Sequence, residues 1–229
     1  MVQGNKLYEL IISKMQGYSD TLLGITDISY SDYYSHYKCA LVLAVPHKEM
    51  ISLKNYSEEK LEAAIGTARD QVNRIVSELT SLFQTHDIKY YVPPIAQSDE
   101  ESLIAPFSFK YAAVKAGIGW IGKNDVLITK EYGPRVRLSV ILVNGDLPIG
   151  APITQSMCDK KCFLCIDVCP YKALKGKQWD INKLRGELID YHLCNIKRSE
   201  YLKKHFRKNA CGLCMVVCPW GVKDVIVDL

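Results

Sequence analysis

Eight of the nine cysteines in this 229-residue chain lie between residues 158 and 218, and seven of those eight stand in two tight groups. The first is Cys158-x3-Cys162-x2-Cys165-x3-Cys169-Pro170. The second is Cys211-x2-Cys214-x3-Cys218-Pro219, with Cys194 seventeen residues upstream. Disulfide scaffolds spread their cysteines to close loops, whereas thiols crowded at this spacing converge on metal. An odd count leaves one thiol over in any case. A chain this long buries roughly 70% of its unfolded surface, so its core needs no covalent staples. Cys39 stands alone in an apolar run and reads as a core thiol.

The spacing carries chemistry. A C-x2-C turn presents two thiolates on one side of a small loop while main-chain N–H groups point at sulfur. A third cysteine completes three corners of a cubane. The cysteine before proline leaves in another direction and serves the other cluster, as in two-cluster bacterial ferredoxins. That rule assigns Cys158, Cys162, Cys165 and Cys218 to one [4Fe–4S] cluster and Cys169, Cys194, Cys211 and Cys214 to a second. Zinc on Cys162, Cys165, Cys211 and Cys214 is the competing arrangement. It leaves Cys158, Cys169, Cys194 and Cys218 unexplained. The first gap is three residues, not two, so the Cys158 loop is expected to be locally different.

Charge divides the chain as cysteine does. Residues 1–150 carry 15 Lys+Arg against 17 Asp+Glu; residues 151–229 carry 14 against 8, a local balance of +6. Two oxidised clusters at about −2 each bring that to about +2. The basic run 197–208 therefore reads as an offset to cluster charge before it reads as a nucleic-acid surface. The seam falls in the Gly- and Pro-containing stretch 144–156, read as a linker or crossing loop. This gives two domains, 1–150 and 151–229. No 18-residue apolar span is present, and Lys6, Glu9 and Lys14 interrupt the first helix, so neither a membrane span nor a signal peptide is expected and the location is read as cytoplasmic.

Upstream of the cysteines, helix and strand signals alternate. A first helix over Leu7–Met15 is followed by strands at 22–28 and at 39–45, the latter apolar throughout and ended by Pro46. A 3.6-residue apolar period runs unbroken over 58–84, with Ser57 as N-cap and Glu58 and Glu59 on the favourable side of the dipole. A strand at 88–92, a helix at 107–116 and strands at 126–129 and 136–144 complete an α/β pattern with a central sheet.

Gly117-Ile118-Gly119-Trp120-Ile121-Gly122 matches G-x-G-x-x-G, but a helix precedes it and a strand follows. Dinucleotide binding needs the reverse, with a helix N-terminus facing the pyrophosphate. Two readings of the string stay open. In one, Gly117, Gly119 and Gly122 allow close approach of a ligand, with Trp120 and Ile121 as an apolar wall and Lys123 and Asn124 meeting its polar edges. In the other, the string is a helix C-cap turning tightly into a strand. Asp190-Tyr191-His192-Leu193-Cys194-Asn195 approaches the D-x-H-x-x-G pattern that gives a histidine to cobalt, but Asn195 stands in the glycine position and Cys194 belongs to a cluster. His192 reads as an ordinary helix-face residue, and His36, His47, His86 and His205 as structural or solvated.

The combination of KAGIGWIGKNDVLIT (115–129) with two ferredoxin-type motifs ending in CPWG (218–221) resembles the epoxyqueuosine reductase family and, more distantly, the corrinoid-dependent reductive dehalogenases. The resemblance covers residues 105–221. It implies a nitroreductase-like cobalamin-binding α/β domain followed by a ferredoxin-like domain with two [4Fe–4S] clusters, cobalamin lying between the two and the loop Gly117–Asn124 against the corrin. It implies an oxidoreductase that takes electrons from a redox partner protein and passes them singly to cobalt, with a small molecule or another protein's corrinoid as substrate. Three departures stand out, one of them a short N-terminal portion. The family's proton-donating aspartate falls, by its offset from Ala105-Pro106, at Leu103, which delivers no proton. The chain ends ten residues after Pro219, so the family's tRNA-gripping helical repeat is not expected and a tRNA substrate is not supported. Tyr30, Tyr33, Tyr34, Tyr37, Tyr90, Tyr91 and Tyr111 are the remaining proton carriers, none singled out as catalytic. The alternatives are an electron-transfer module serving a partner, and a flavin-binding reductase.

Overall fold

A computed structural model of the protein describes residues 4–94, 103–196, 200 and 211–222. The chain divides into two compact units. One is Met1–Pro46, Thr67–Ile118 and Arg137–Ile153; the other is His47–Gly66, Gly119–Val136 and Thr154–Leu229. A single cut at residue 150 therefore does not describe them. The cysteine segment is joined by two earlier stretches, because Ile51, Leu61, Ala64 and Ile65 bury their side chains with Val216. The stretch expected as a linker is strapped to the first unit, with Gly150 N donating to Ile25 O (2.8 Å) and Ile153 N to Val114 O (3.0 Å).

In the first unit, helix α1 (Gly4–Met15) leads into β1 (Leu22–Asp27) and β2 (Cys39–Pro46). These two strands pair antiparallel, Leu22 opposite Ala44 and Asp27 opposite Cys39. Helix α2 (Glu58–Thr85), whose residues up to Gly66 fall in the second unit, β3 (Tyr90–Tyr91) and α3 (Phe109–Lys115) follow. With β6 (Val136–Val143) the sheet runs in the order β1-β2-β6-β3. All eight residues of β2 are buried, as its unbroken apolar run requires. Ala68, Val72, Ile75, Leu79 and Phe83 project from α2 at helical spacing onto Leu41, Leu43, Ile141 and Val143. Ser57 Oγ accepts from Lys60 N (3.2 Å) as its N-cap position predicts.

The strand expected at 126–129 lies outside this sheet. β4 (Trp120–Ile121) and β5 (Leu127–Ile128) form a separate antiparallel hairpin in the second unit, Trp120 opposite Ile128. The expected strand 88–92 shortens to β3, and Ser108, accepting from Tyr111 N, starts α3 after Phe107. No helix among the described residues is long and apolar enough to cross a membrane. The basic run 197–208 and His205 lie outside the described residues except for Glu200.

Candidate iron–sulfur site

The two C-x2-C loops repeat one local design. Each second cysteine sits in a single helical turn, Cys165 in Leu164–Asp167 and Cys214 in Leu213–Val216. Before the latter, Gly212 takes φ +66, and a Cβ there would strike the Leu61 side chain. The extra residue after Cys158 is absorbed by Asp159, whose side chain accepts from Lys161 N (2.7 Å) and whose carbonyl accepts from Cys162 N (3.2 Å). This asparagine-like turn makes the local difference that the spacing called for.

Cys158, Cys162, Cys165 and Cys218 line one cavity of about 50 Å³, together with Ile128 and Leu164 among others. Burial pushes the Cys165 thiol up to about 12, with Cys218, Cys158 and Cys162 adding like-charge repulsion. Burial also raises Cys218 to about 11, opposed by the Trp220 main chain and by Arg135. Cys214 is raised well above the ordinary thiol range by burial first, then by Cys211, Cys194, Cys165 and Cys169. Cys169 Sγ accepts from Ala173 N (3.4 Å), and Cys194 lies on the helical stretch 191–196.

Two buried cations hold the loops that carry these thiols. Lys123, 2% exposed, donates from Nζ to the carbonyl oxygens of Asp159 (3.0 Å), Lys160 (3.0 Å) and Cys162 (2.9 Å). Arg135, 7% exposed, donates from Nη1 to Trp220 O (2.8 Å) and from Nη2 to Val216 O (3.1 Å) and Cys218 O (2.7 Å). Among the described residues neither has a carboxylate partner. A buried cation needs hydrogen bonds and a counter-charge; the carbonyls supply the first, and an anionic cluster would supply the second.

These observations fit an iron–sulfur core. Metal would deprotonate thiols that otherwise resist ionisation, the cavity separates the sulfurs, and cations stand beside it. A tetrahedral zinc site would bring its sulfurs to about 3.8 Å of one another at zinc–sulfur bonds of about 2.3 Å. Among the described residues no three His, Cys, Asp or Glu side chains close on such a single ion.

The glycine string has a different employment from that of a ligand cradle. A Cβ on Gly119 would overlap the Ile128 carbonyl, and one on Gly122 the Ile128 side chain; both glycines serve hairpin packing. Trp120 is fully buried, edge-on to Trp220 with ring centroids 4.7 Å apart, and Ile121 is buried. Lys123 has three N–H bonds and spends them on three carbonyls, and Asn124 Nδ2 donates to Cys214 O (3.1 Å). Lys123 and Asn124, expected to meet a ligand's polar edges, are engaged here with main-chain carbonyls. Gly117, at φ +75, is the exposed member. Leu103 is buried at 6% exposure with φ +55, a backbone region uncommon for a branched side chain. His192 is exposed, and Cys39 Sγ lies 3.2 Å from Gly145 O deep in the first unit. Sequence reasoning missed Arg135: an arginine at a strand entry has no spacing signature.

A family model for a 4Fe-4S double cluster binding domain matches residues 158–221. The chain is 35% identical over 127 residues to the epoxyqueuosine reductase of Atelocyanobacterium thalassa, covering 51% of this chain and 38% of that one. It is 32% identical over 127 residues to that of Aliivibrio fischeri, covering 51% and 31%. The chain thus spans about a third of the length of these relatives. A solved epoxyqueuosine reductase carrying a tRNA-Tyr stem loop shares the fold at TM-score 0.64 and 17% identity, over 96% of this chain and 66% of that one. A catabolic reductive dehalogenase does so at TM-score 0.63 and 16% identity, over 90% and 30%.

Proposed function

We propose that this chain is an iron–sulfur reductase of the epoxyqueuosine reductase kind. It moves electrons one at a time through two [4Fe–4S] clusters, from a redox partner protein to a corrinoid acceptor. The observation that carries this reading is the convergence of Cys158, Cys162, Cys165 and Cys218, sixty residues apart at the extremes, on one cavity. The second ligand set is Cys169, Cys194, Cys211 and Cys214. The corrinoid is supported by likeness alone: one solved relative is described as a B12-dependent dehalogenase. A bound corrinoid supplies a cobalt centre that becomes strongly reducing or nucleophilic when given electrons.

The chain's own residues do three things in this reading. The helical turns at 164–167 and 213–216 fix the paired thiols. Lys123 and Arg135 hold the cysteine loops and favour added negative charge beside them. Ile128, Leu164 and Trp220 give the cavity an apolar wall, which lowers the local dielectric and strengthens those interactions. Lys123 and Asn124 make no contact with the acceptor in this proposal, and Leu103 supplies no proton.

Anaerobically isolated protein is expected to hold about eight irons and eight sulfides per chain and to show saturable spectral change when hydroxocobalamin is added. Zinc in place of iron overturns the reading. Full iron with no cobalamin response, and reduction of a partner protein instead, favours an electron-transfer module. A retained yellow, fluorescent chromophore favours flavin.

A further inference from the structure

Of three consecutive side chains at the tip of the β4–β5 hairpin, two reach cysteine-bearing loops directly and the third reaches Arg185. Lys123 takes the carbonyls of Asp159, Lys160 and Cys162, and its ammonium lies 4.3 Å from the centre of the Phe163 ring. It thereby holds the whole turn between Cys158 and Cys162. Asn124 donates to the carbonyl of Cys214 itself, while its Oδ1 accepts from Val126 N (3.4 Å), which fixes the carboxamide's orientation. Asp125, buried, accepts from Arg185 Nε (3.0 Å). The Arg185 guanidinium lies 4.5 Å over the Tyr191 ring, three residues before Cys194.

The hairpin tip is built for this. Asp125 sits at φ +57, and its N–H returns to Gly122 O (3.0 Å) while Gly122 N donates to Val126 O (3.0 Å). That tight turn fans three successive side chains in three directions. In a plain strand they would alternate between two faces.

We infer that Lys123-Asn124-Asp125 is a positioning clamp for both clusters, which sets where the segments bearing Cys158–Cys165, Cys214 and Cys194 stand before iron arrives. Lys123 has a second role, as the buried positive charge beside the cluster of Cys158, Cys162, Cys165 and Cys218. Reduction adds negative charge to that cluster, so the nearby cation raises its potential. The inference rests on the proposed cluster reading. Outer partners of metal ligands are worth about 10- to 100-fold in affinity when removed.

The test begins with wild-type iron. Fewer than about eight irons per chain would sink the cluster reading and leave the clamp without an object. With eight present, Lys123→Met, Asn124→Ala and Asp125→Asn are compared by iron release to a chelator under argon and by redox titration followed by electron paramagnetic resonance. Single-cluster Cys165→Ser and Cys211→Ser proteins assign the signals. Lys123→Met is expected to release the first cluster's iron about 10- to 100-fold faster and to lower that cluster's midpoint potential alone. Asn124→Ala and Asp125→Asn are expected to speed release from the second cluster by a similar factor. Lys123→Arg keeps the charge but not the three-carbonyl fit, so it should keep the potential and still lose iron faster; it carries the test should the methionine variant not fold. Wild-type release rates and potentials in these variants would overturn the inference.

Discussion

Arg135 and Cys218 share a buried hydrogen bond in which guanidinium Nη2 donates to the cysteine's carbonyl oxygen at 2.7 Å. Arg135 immediately precedes β6 in the chain. The same guanidinium binds the carbonyls of Val216 and Trp220. One planar fork thus holds residues on both sides of Cys218, a task for which an ammonium lacks the shape. Burial lowers the Arg135 pKa, with the neighbouring Cys218 opposing that shift.

Arg135→Met is therefore expected to leave three carbonyls without their donor and to destabilise the iron-loaded protein by about 3 kcal/mol. Arg135→Lys should fall between that variant and wild type. Urea unfolding under argon reads both. An Arg135→Met midpoint equal to that of wild type would show that the fork holds nothing.

Two glycines test packing in opposite directions. At Gly119 a methyl group meets the Ile128 carbonyl across the hairpin, and backbone yields poorly. Gly119→Ala is expected to cost about 1–3 kcal/mol or more. Gly66, inside α2, has nothing within 4 Å of a built Cβ, so Gly66→Ala should stabilise by about 0.5–1 kcal/mol through helix propensity and a less flexible unfolded chain. Thermal unfolding of the two variants should move in opposite directions from wild type.

The Tyr18 hydroxyl donates to Glu78 Oε1 at 2.7 Å. That bond, then burial and the Glu78 charge, raise the Tyr18 pKa above its usual 10.0, with Arg74 opposing. A raised folded value means the proton is held more tightly in the folded state. The contribution is full below the unfolded value of about 10 and is lost as pH climbs through the folded value. The pair is exposed enough for solvent to hold its worth under about 1 kcal/mol. Tyr18→Phe should lose this contribution at pH 8 and match wild type at strongly alkaline pH; a difference constant across that range would exclude the linkage.

Much of this was legible in residue order, for physical reasons that differ by element. Helix α2 announced itself because ten apolar positions keep a 3.6 period whatever packs on them. Strand β2 did so because a strand buried on both faces has no polar register to disguise it. The β4–β5 hairpin did not: its strands are two residues long, and their pairing is dictated by Gly119 and Gly122 fitting Ile128, a contact between residues nine and six apart with no periodicity. The same holds for the roles of Lys123 and Asn124. Their types predict polar partners, but whether those are a ligand's edge or the carbonyls of loops thirty-six to ninety residues away is decided by tertiary placement. The interleaving of the two units was hidden too, since residues 47–66 carry no cysteine to betray that Ile51 and Leu61 pack with Val216.

Cysteine itself supplies the sharpest contrast. Cys39 and Cys211 are both thiols, yet Cys39 is 4% exposed in a central strand, its Sγ 3.2 Å from Gly145 O. Among the described residues its core neighbours are aliphatic and aromatic side chains, with no second thiol among them to share a metal. Cys211 precedes a helical turn beside Cys214, and its carbonyl accepts the Tyr56 hydroxyl. Cys39→Ala should therefore leave iron at about eight per chain while costing some core stability. Cys211→Ser should retain about half the iron, since a hydroxyl is a weak ligand for an iron–sulfur cluster and the other set shares no cysteine with it. Iron and acid-labile sulfide measured on both variants decide the matter: unchanged iron in Cys211→Ser breaks the ligand assignment, and lost iron in Cys39→Ala means that the first unit is coupled to the clusters in a way its buried thiol gives no reason to expect.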